Sequence, residues 1–237
     1  MKTLPVGARF RISEWAGLDP SERLGVFQEY EYRLAQDESR DPCELELIPR
    51  EVLTVGDNGE NLFGQYLPAQ TIEGAEVQPE RIQLNPRLLQ SGTRPYEAVE
   101  TYFEEARHAY QMNVAEHPEL AETPQYHEDC IKAKNGGYLN PSEFPWVYYR
   151  SQPAEVDAKH VAQTRTMMTY EQLGELDGYL DHMESPTYER QRAAFAYEKA
   201  YEQPARELVD KRYEIAQKRT EAQRVQEGED YSYGPSL

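Results

Sequence analysis

Cysteine is scarce. The 237 residues hold two, Cys43 and Cys130, which lie far apart and fit no metal-binding spacing. They read most simply as free thiols in a reducing compartment, with a single disulfide left open. Positive charge is also in short supply. Against 43 acidic side chains stand 25 basic ones, a net charge of −18. That balance argues against binding a nucleic-acid backbone or an anionic membrane, favours a soluble protein, and leaves room for a basic protein partner. Long apolar runs are missing too. The first residues, Met-Lys-Thr-Leu-Pro-Val-Gly-Ala-Arg, contain no signal-peptide core, and no later stretch is long enough to span a bilayer. A cytoplasmic location is expected, and any delivery to another cell would proceed without a cleavable signal. Tyrosine, by contrast, is plentiful: 18 residues supply amphipathic bulk for burial.

The first forty residues combine a strand-like Arg9-Phe10-Arg11-Ile12 with a helix announced by Asp19-Pro20-Ser21-Glu22, whose Leu24, Phe27, Tyr30 and Leu34 recur at helical spacing. Residues 44–48 alternate like a half-buried strand. Gly56-Asp57-Asn58-Gly59 is a turn signal, which makes 61–67 the returning strand of a hairpin. Residues 68–79 read as loop, and Arg81-Ile82-Gln83-Leu84-Asn85-Pro86 as a short strand closed by proline. Residues 118–145, rich in turn formers, read as a loop crossing a helix, followed by an apolar Pro145-Trp146-Val147-Tyr148-Tyr149 that docks on the core. A further helix begins at Pro153. From 170 to 226 the composition is helical, with a break at Ser185-Pro186 and a proline, Pro204, that starts or kinks the last helix. The expected fold is α+β, with a largely helical C-terminal half. The expected division is a domain over 1–165, a helical extension over 166–227 and a mobile tail over 228–237.

The stretch Tyr102-Phe103-Glu104-Glu105-Ala106-Arg107-His108-Ala109-Tyr110-Gln111 sits in a helix expected over 95–116, with Thr93 as a plausible N-cap and Pro118 as its stop. Val99, Phe103, Ala106 and Tyr110 form its buried stripe. Glu104 and His108, four apart, share a face beside that stripe. Metallopeptidases carry two histidine ligands at this spacing, in His-Glu-x-x-His, with the glutamate as general base. Here Glu104 stands in place of the first histidine. A hydrolytic metal site needs three protein ligands and a carboxylate base. By position these are Glu104 and His108, then Glu155 or Asp157 on the helix after Pro153, with Glu105 as base. Such an oxygen-rich set shifts preference from zinc toward manganese, magnesium or iron. The bland alternatives are a solvated Glu-Glu face, a structural His108 beside Arg107, and an acidic helix start at Glu155. His117, His127, His160 and His182 show no ligand spacing among themselves, although His160, five after Glu155, is an outside candidate.

Taken in order, Ile82-Gln83-Leu84-Asn85, then Glu104-Glu105-Ala106-Arg107-His108-Ala109-Tyr110-Gln111, then Gln152-Pro153-Ala154-Glu155-Val156-Asp157-Ala158 resemble bacterial zincin-type metallopeptidase domains of mobile-element and polymorphic-toxin proteins. The pattern of those domains is strand, His-Glu-Ala-Arg-His-Ala-Tyr-Gln helix, Gln-Pro-x-Glu-x-Asp-Ala helix, and the resemblance covers residues 80–165. It implies a zincin-like core, a small sheet whose edge strand near Ile82–Leu84 holds extended substrate beside the metal-site helix. It also implies His108 as second ligand, Glu105 as base, Glu155 or else Asp157 as third ligand, and a zinc, manganese or iron ion. The implied function is a metal-dependent hydrolase, a peptidase acting as a bacterial or mobile-element effector on a protein or peptide. Because Glu104 departs from the pattern, the alternative is a metal-free pseudo-enzyme that binds a protein partner through its cleft or acidic surface.

Overall fold

The structure, a computed structural model, describes residues 6–53, 62–72, 75–186 and 198–230. Among them are eight α-helices and five short strands: α1 Ile12–Ala16, α2 Pro20–Asp37, β1 Glu44–Leu47, β2 Gly64–Leu67, β3 Gln70–Ile72, β4 Ala75–Gln78, β5 Arg81–Leu84, α3 Tyr96–Glu116, α4 Pro124–Lys132, α5 Trp146–Ser151, α6 Pro153–Leu173, α7 Leu176–Met183 and α8 Glu202–Asp230. The fold is mixed α+β and mostly helical. No helix among the described residues is long and apolar enough to cross a membrane.

The chain separates into two compact units, one of Met1–Asn113 with Asp157–Arg192, the other of Val114–Val156 with Ala193–Leu237. These boundaries differ from the cuts expected at 165 and 227. The expected cuts followed the end of the resemblance at 165 and the start of the tail at 228, whereas the observed ones near 113 and 157 fall inside the continuous helices α3 and α6.

In the first unit, helix α2 starts as its sequence dictates. The Asp19 side chain accepts from the Glu22 backbone N–H at 2.8 Å and the Glu22 carboxylate accepts from the Asp19 N–H at 2.8 Å, a reciprocal cap. Phe10, Trp15, Val26, Phe27, Ile82, Leu84, Val99, Tyr102 and Phe103 share one apolar core. Residues 9–12 contribute to it as a 3₁₀ turn, Val6–Phe10, running into α1, and not as the expected strand. Phe10 is thereby placed 5.1 Å from Phe27, ring centre to ring centre.

The sheet corrects three expectations. Strand β5 is central, parallel to β1 (Glu44 beside Arg81, Leu47 beside Leu84) and antiparallel to β2 (Gly64 beside Leu84, Leu67 beside Arg81). Ile82–Leu84 is therefore paired on both sides and is no edge, and the outer positions belong to β1 and β2. The β2 strand returns onto β5 and not onto β1, so 44–67 is no simple hairpin; the Gly56–Gly59 turn lies outside the described residues. The supposed loop 68–79 contains an antiparallel pair of its own, β3 with β4. One face of the three-stranded sheet supplies Leu45, Ile82 and Leu84 to the core. Its other face carries a polar row, with Gln65 donating to Gln83 at 2.6 Å and Gln83 to Glu46 at 2.9 Å.

Two buried charges organise what surrounds helix α3. Arg23 donates to the carbonyls of Trp15 (2.8 Å), Leu89 (3.1 Å) and Gln90, holding the turn that leads into the helix. Glu31, fully buried, accepts from Arg40 at 2.5 and 3.2 Å, from the Cys43 N–H at 2.8 Å and from the Tyr102 hydroxyl at 2.7 Å. Thr93 does not cap α3. Its hydroxyl donates to Leu88 and Gln90 carbonyls, and the Pro95 carbonyl receives the Val99 N–H at 2.9 Å.

In the second unit, the stretch expected to be a loop holds α4, capped by the Thr123 hydroxyl accepting from the Tyr126 N–H at 3.1 Å. Gly136, with φ of 95°, turns the chain after it, a conformation that favours glycine. The apolar cluster here is small, with Leu139, Ala205 and Val209 buried and Phe144, Tyr148 and Leu208 against them. Trp146, expected to dock on a core, is 44% exposed. Ion pairs supplement the cluster: Arg206 with Asp129 at 2.6 Å and Lys132 with Asp210 at 2.7 Å. Both cysteines are free thiols, the simpler of the two readings, and both are buried.

Two outcomes follow from the buried charges. Arg40→Met leaves Glu31 charged without its cation, and a loss of about 3–5 kcal/mol is expected in urea unfolding; a loss below about 1 kcal/mol would mean that Tyr102 and the Cys43 N–H suffice. Burial, and then the negative charge of Glu31, raises the Tyr102 phenol well above its ordinary value of 10.0. Burial and Glu155 do the same for Tyr138, and burial and Tyr96 for Tyr170. Each phenol keeps its proton in the folded chain at pH values where the unfolded chain loses it. Their contribution is therefore complete below about pH 10 and is lost as the pH rises further. Phenolate absorbance should rise together with loss of circular dichroism, and ionisation of every tyrosine in a chain that keeps its native spectrum would refute this.

Candidate functional site

Glu104, Glu105, Arg107, His108 and Gln111 all lie on α3 within the first unit. At about 100° per residue, Glu105 and Thr101 occupy one flank, Gln111 and Arg107 the other, and His108 and Glu104 lie between them. The helix is buried on more than its apolar stripe: Thr101, Glu105, Arg107 and Gln111 are all 9% exposed or less. His108 and Glu104 are half-buried, so this intermediate strip is where the helix meets solvent.

The Glu105 flank faces β2. A methyl group built on Gly64 would stand 2.6 Å from Thr101 Cγ2 and 3.0 Å from both Cγ and Oε1 of Glu105. Only a residue without a Cβ permits this approach of strand to helix. Asn85 fixes the strand's start, donating from its side chain to the Leu62 carbonyl at 2.7 Å and from its backbone to the Phe63 carbonyl at 2.7 Å. The residue expected to be the base thus lies against the first residue of an outer strand. That strand is β2 and not the expected β5.

The opposite flank faces the start of α6. Arg107 donates to Asp157 twice, Nε to Oδ2 at 2.8 Å and Nη2 to Oδ1 at 3.1 Å, and its side chain is 4% exposed. Gln111 donates from Nε2 to the same Oδ2 at 2.8 Å, and its Oε1 lies 3.0 Å from His108 Nδ1. Asp157 therefore receives three N–H donors, most of what a carboxylate accepts. It anchors a chain of polar contacts that ends on His108.

Glu155 belongs to the second unit. It is 1% exposed, accepts from the Tyr138 hydroxyl at 2.5 Å and lies 3.8 Å from Arg150 Nη1. Three residues before it, the Gln152 side chain clamps Leu139, accepting from its N–H at 2.8 Å and donating to its carbonyl at 3.1 Å. The Gln-Pro-Ala-Glu block thus has an architectural task of its own. Among the described residues, no group of three or more His, Cys, Asp or Glu side chains is placed to hold a metal ion.

Sequence reasoning named Glu105, His108 and Asp157 but passed over Gly64, Thr101 and the Arg107–Asp157 pair. A lone glycine inside a strand pattern was the available signal for the first. The test of this close approach is Gly64→Ala. Forcing a methyl onto Thr101 should cost about 1–3 kcal/mol in unfolding experiments. Adding Thr101→Ser, which removes Cγ2, should recover part of it. No recovery in the double variant would place the strain elsewhere.

Compared with known proteins, the chain matches no family model, no curated protein and no solved structure.

Proposed function

We propose that the chain is a metal-dependent hydrolase of the peptidase kind, in which an extended peptide adds to the outer strand β2 and passes Glu105, the general base. The observation that carries this reading is the contact of Glu105 with Gly64, which sets a carboxylate at the start of a sheet edge. Peptides commonly bind by joining such an edge through main-chain hydrogen bonds. Glu104 and His108, one helical turn apart beside Glu105, are the protein donors that would hold the ion. One carboxylate and one imidazole fit a hard ion that completes its shell with water, manganese or magnesium, better than zinc, which in catalytic sites takes three protein ligands. The ion would supply Lewis-acid activation of water and of a carbonyl oxygen. Glu105 would take a proton from the attacking water, and β2 would hold the peptide backbone in register.

A second reading has its own support. Asp157 is engaged by Arg107 and Gln111, and Glu155 by Tyr138 and Arg150, so both carboxylates offered by the Gln-Pro-x-Glu-x-Asp block have partners already. On that reading the chain is a metal-free module that binds a protein at β2 or, with its net charge of −18, through its acidic surface.

Elemental analysis of chelator-free protein separates the two, alongside Glu104→His and His108→Ala. The hydrolase reading expects near-stoichiometric metal in the native chain and a loss of at least tenfold in His108→Ala. Metal in Glu104→His alone would support the metal-free module. Metal in none of the three would sink a metal role for these residues.

A further inference from the structure

We infer that Gln111 is a positioning residue: locked by Asp157, it fixes His108 as the Nδ1–H tautomer and so makes Nε2 the lone-pair nitrogen of the neutral ring. The inference starts from donor and acceptor inventories. A carboxylate that already receives the Arg107 guanidinium can only accept, so the Gln111 amide must present its NH₂ to Asp157 Oδ2, as the 2.8 Å contact has it. The amide cannot turn around without setting its oxygen against that carboxylate. Its Oε1 is therefore committed to the other side, 3.0 Å from His108 Nδ1. Two acceptors at that distance repel, so Nδ1 carries the hydrogen. The second nitrogen, Nε2, is then the one that accepts a proton or a metal ion. Which nitrogen of a histidine does so is set by the hydrogen bond at the other.

Burial makes the device stiff. Gln111 is 1% and Arg107 3% exposed, and Arg107 also lies over the Tyr110 ring at 4.8 Å. The chain reaches from α6, through Asp157, to α3, so the first turn of one helix sets the chemistry of a side chain on another. Asp157 thereby gains a role other than the expected one of metal ligand. The catalytic meaning of this tautomer rests on the proposed hydrolase function, but the tautomer itself does not.

The test is a long-range ¹⁵N–¹H correlation spectrum of the histidine rings in the full chain, ¹⁵N-labelled and stripped of metal, at about pH 8.5, above the ordinary imidazole range near 6.5. His108 signals are those missing from His108→Asn. The native chain should show a protonated Nδ1 and an unprotonated Nε2. Gln111→Leu should lose that pattern in favour of the Nε2–H form that histidine prefers in water. A native His108 with its proton on Nε2, or a folded Gln111→Leu with an unchanged pattern, would overturn the inference. If Gln111→Leu does not fold, the native spectrum alone decides. Metal titration in the same samples reads the other proposal separately: a fixed Nδ1–H tautomer with no metal uptake refutes the hydrolase and leaves the positioning role intact.

Discussion

A single carboxylate without access to water sets the frame of the first unit. Glu31 would be costly to bury alone, because taking a charge from water into a low-dielectric interior costs several kcal/mol even after relaxation. It is tolerated because Arg40, the Cys43 N–H and the Tyr102 hydroxyl surround it. Those donors come from the turn after α2, the approach to β1 and the middle of α3. Glu38 extends the network, accepting from Arg40 at 2.8 Å and pairing with Arg165 of α6 at 2.7 Å. A hydrophobic core alone fixes depth well and rotation poorly, since apolar contacts have little directionality. The Tyr102 hydrogen bond adds direction, and with it α3 can present only one rotation to its neighbours.

That rotation decides the character of every polar residue on the helix. With Tyr102 turned to Glu31, Thr101 and Glu105 meet β2 while Arg107 and Gln111 meet Asp157. His108 and Glu104 are left on the strip between, half-buried, in contact with solvent and flanked by a carboxylate on one side and an amide on the other. A residue pair of the same spacing on a freely solvated helix would be an ordinary acidic face. Here the flanks are built, and the histidine is oriented by groups that are themselves held.

Much of the local structure was legible in the sequence because the signals were local. Asp19-Pro20-Ser21-Glu22 is a reciprocal cap whichever core it serves, and the stripe of Val99, Phe103 and Ala106 marks the buried side of α3. The strand at 81–84 was equally plain, but its place in the sheet was not. Central and edge strands of four residues carry the same alternation, and only the pairing with both β1 and β2 makes Ile82–Leu84 interior. The segments 68–79 and 118–145 looked like loops because polar and turn-forming residues dominate them. Strands β3 and β4 pair with each other, whereas α4 is engaged by a partner distant in sequence, through the Arg206–Asp129 ion pair.

The sequence by itself determined the capped start of α2, the net charge of −18 and the grouping of Glu104, Glu105, His108 and Gln111 on one helix, all properties of residue type and of spacing along a 3.6-residue turn. Tertiary structure alone decided which of these side chains act together. Asp157 lies 46 residues beyond Gln111 and engages it within the first unit, whereas Glu155, only two residues earlier, belongs with its partner Tyr138 to the second. Residues two apart on a helix are separated by about 200° of rotation. Residues adjacent in a motif can therefore serve different partners, and nothing in the order of letters says which.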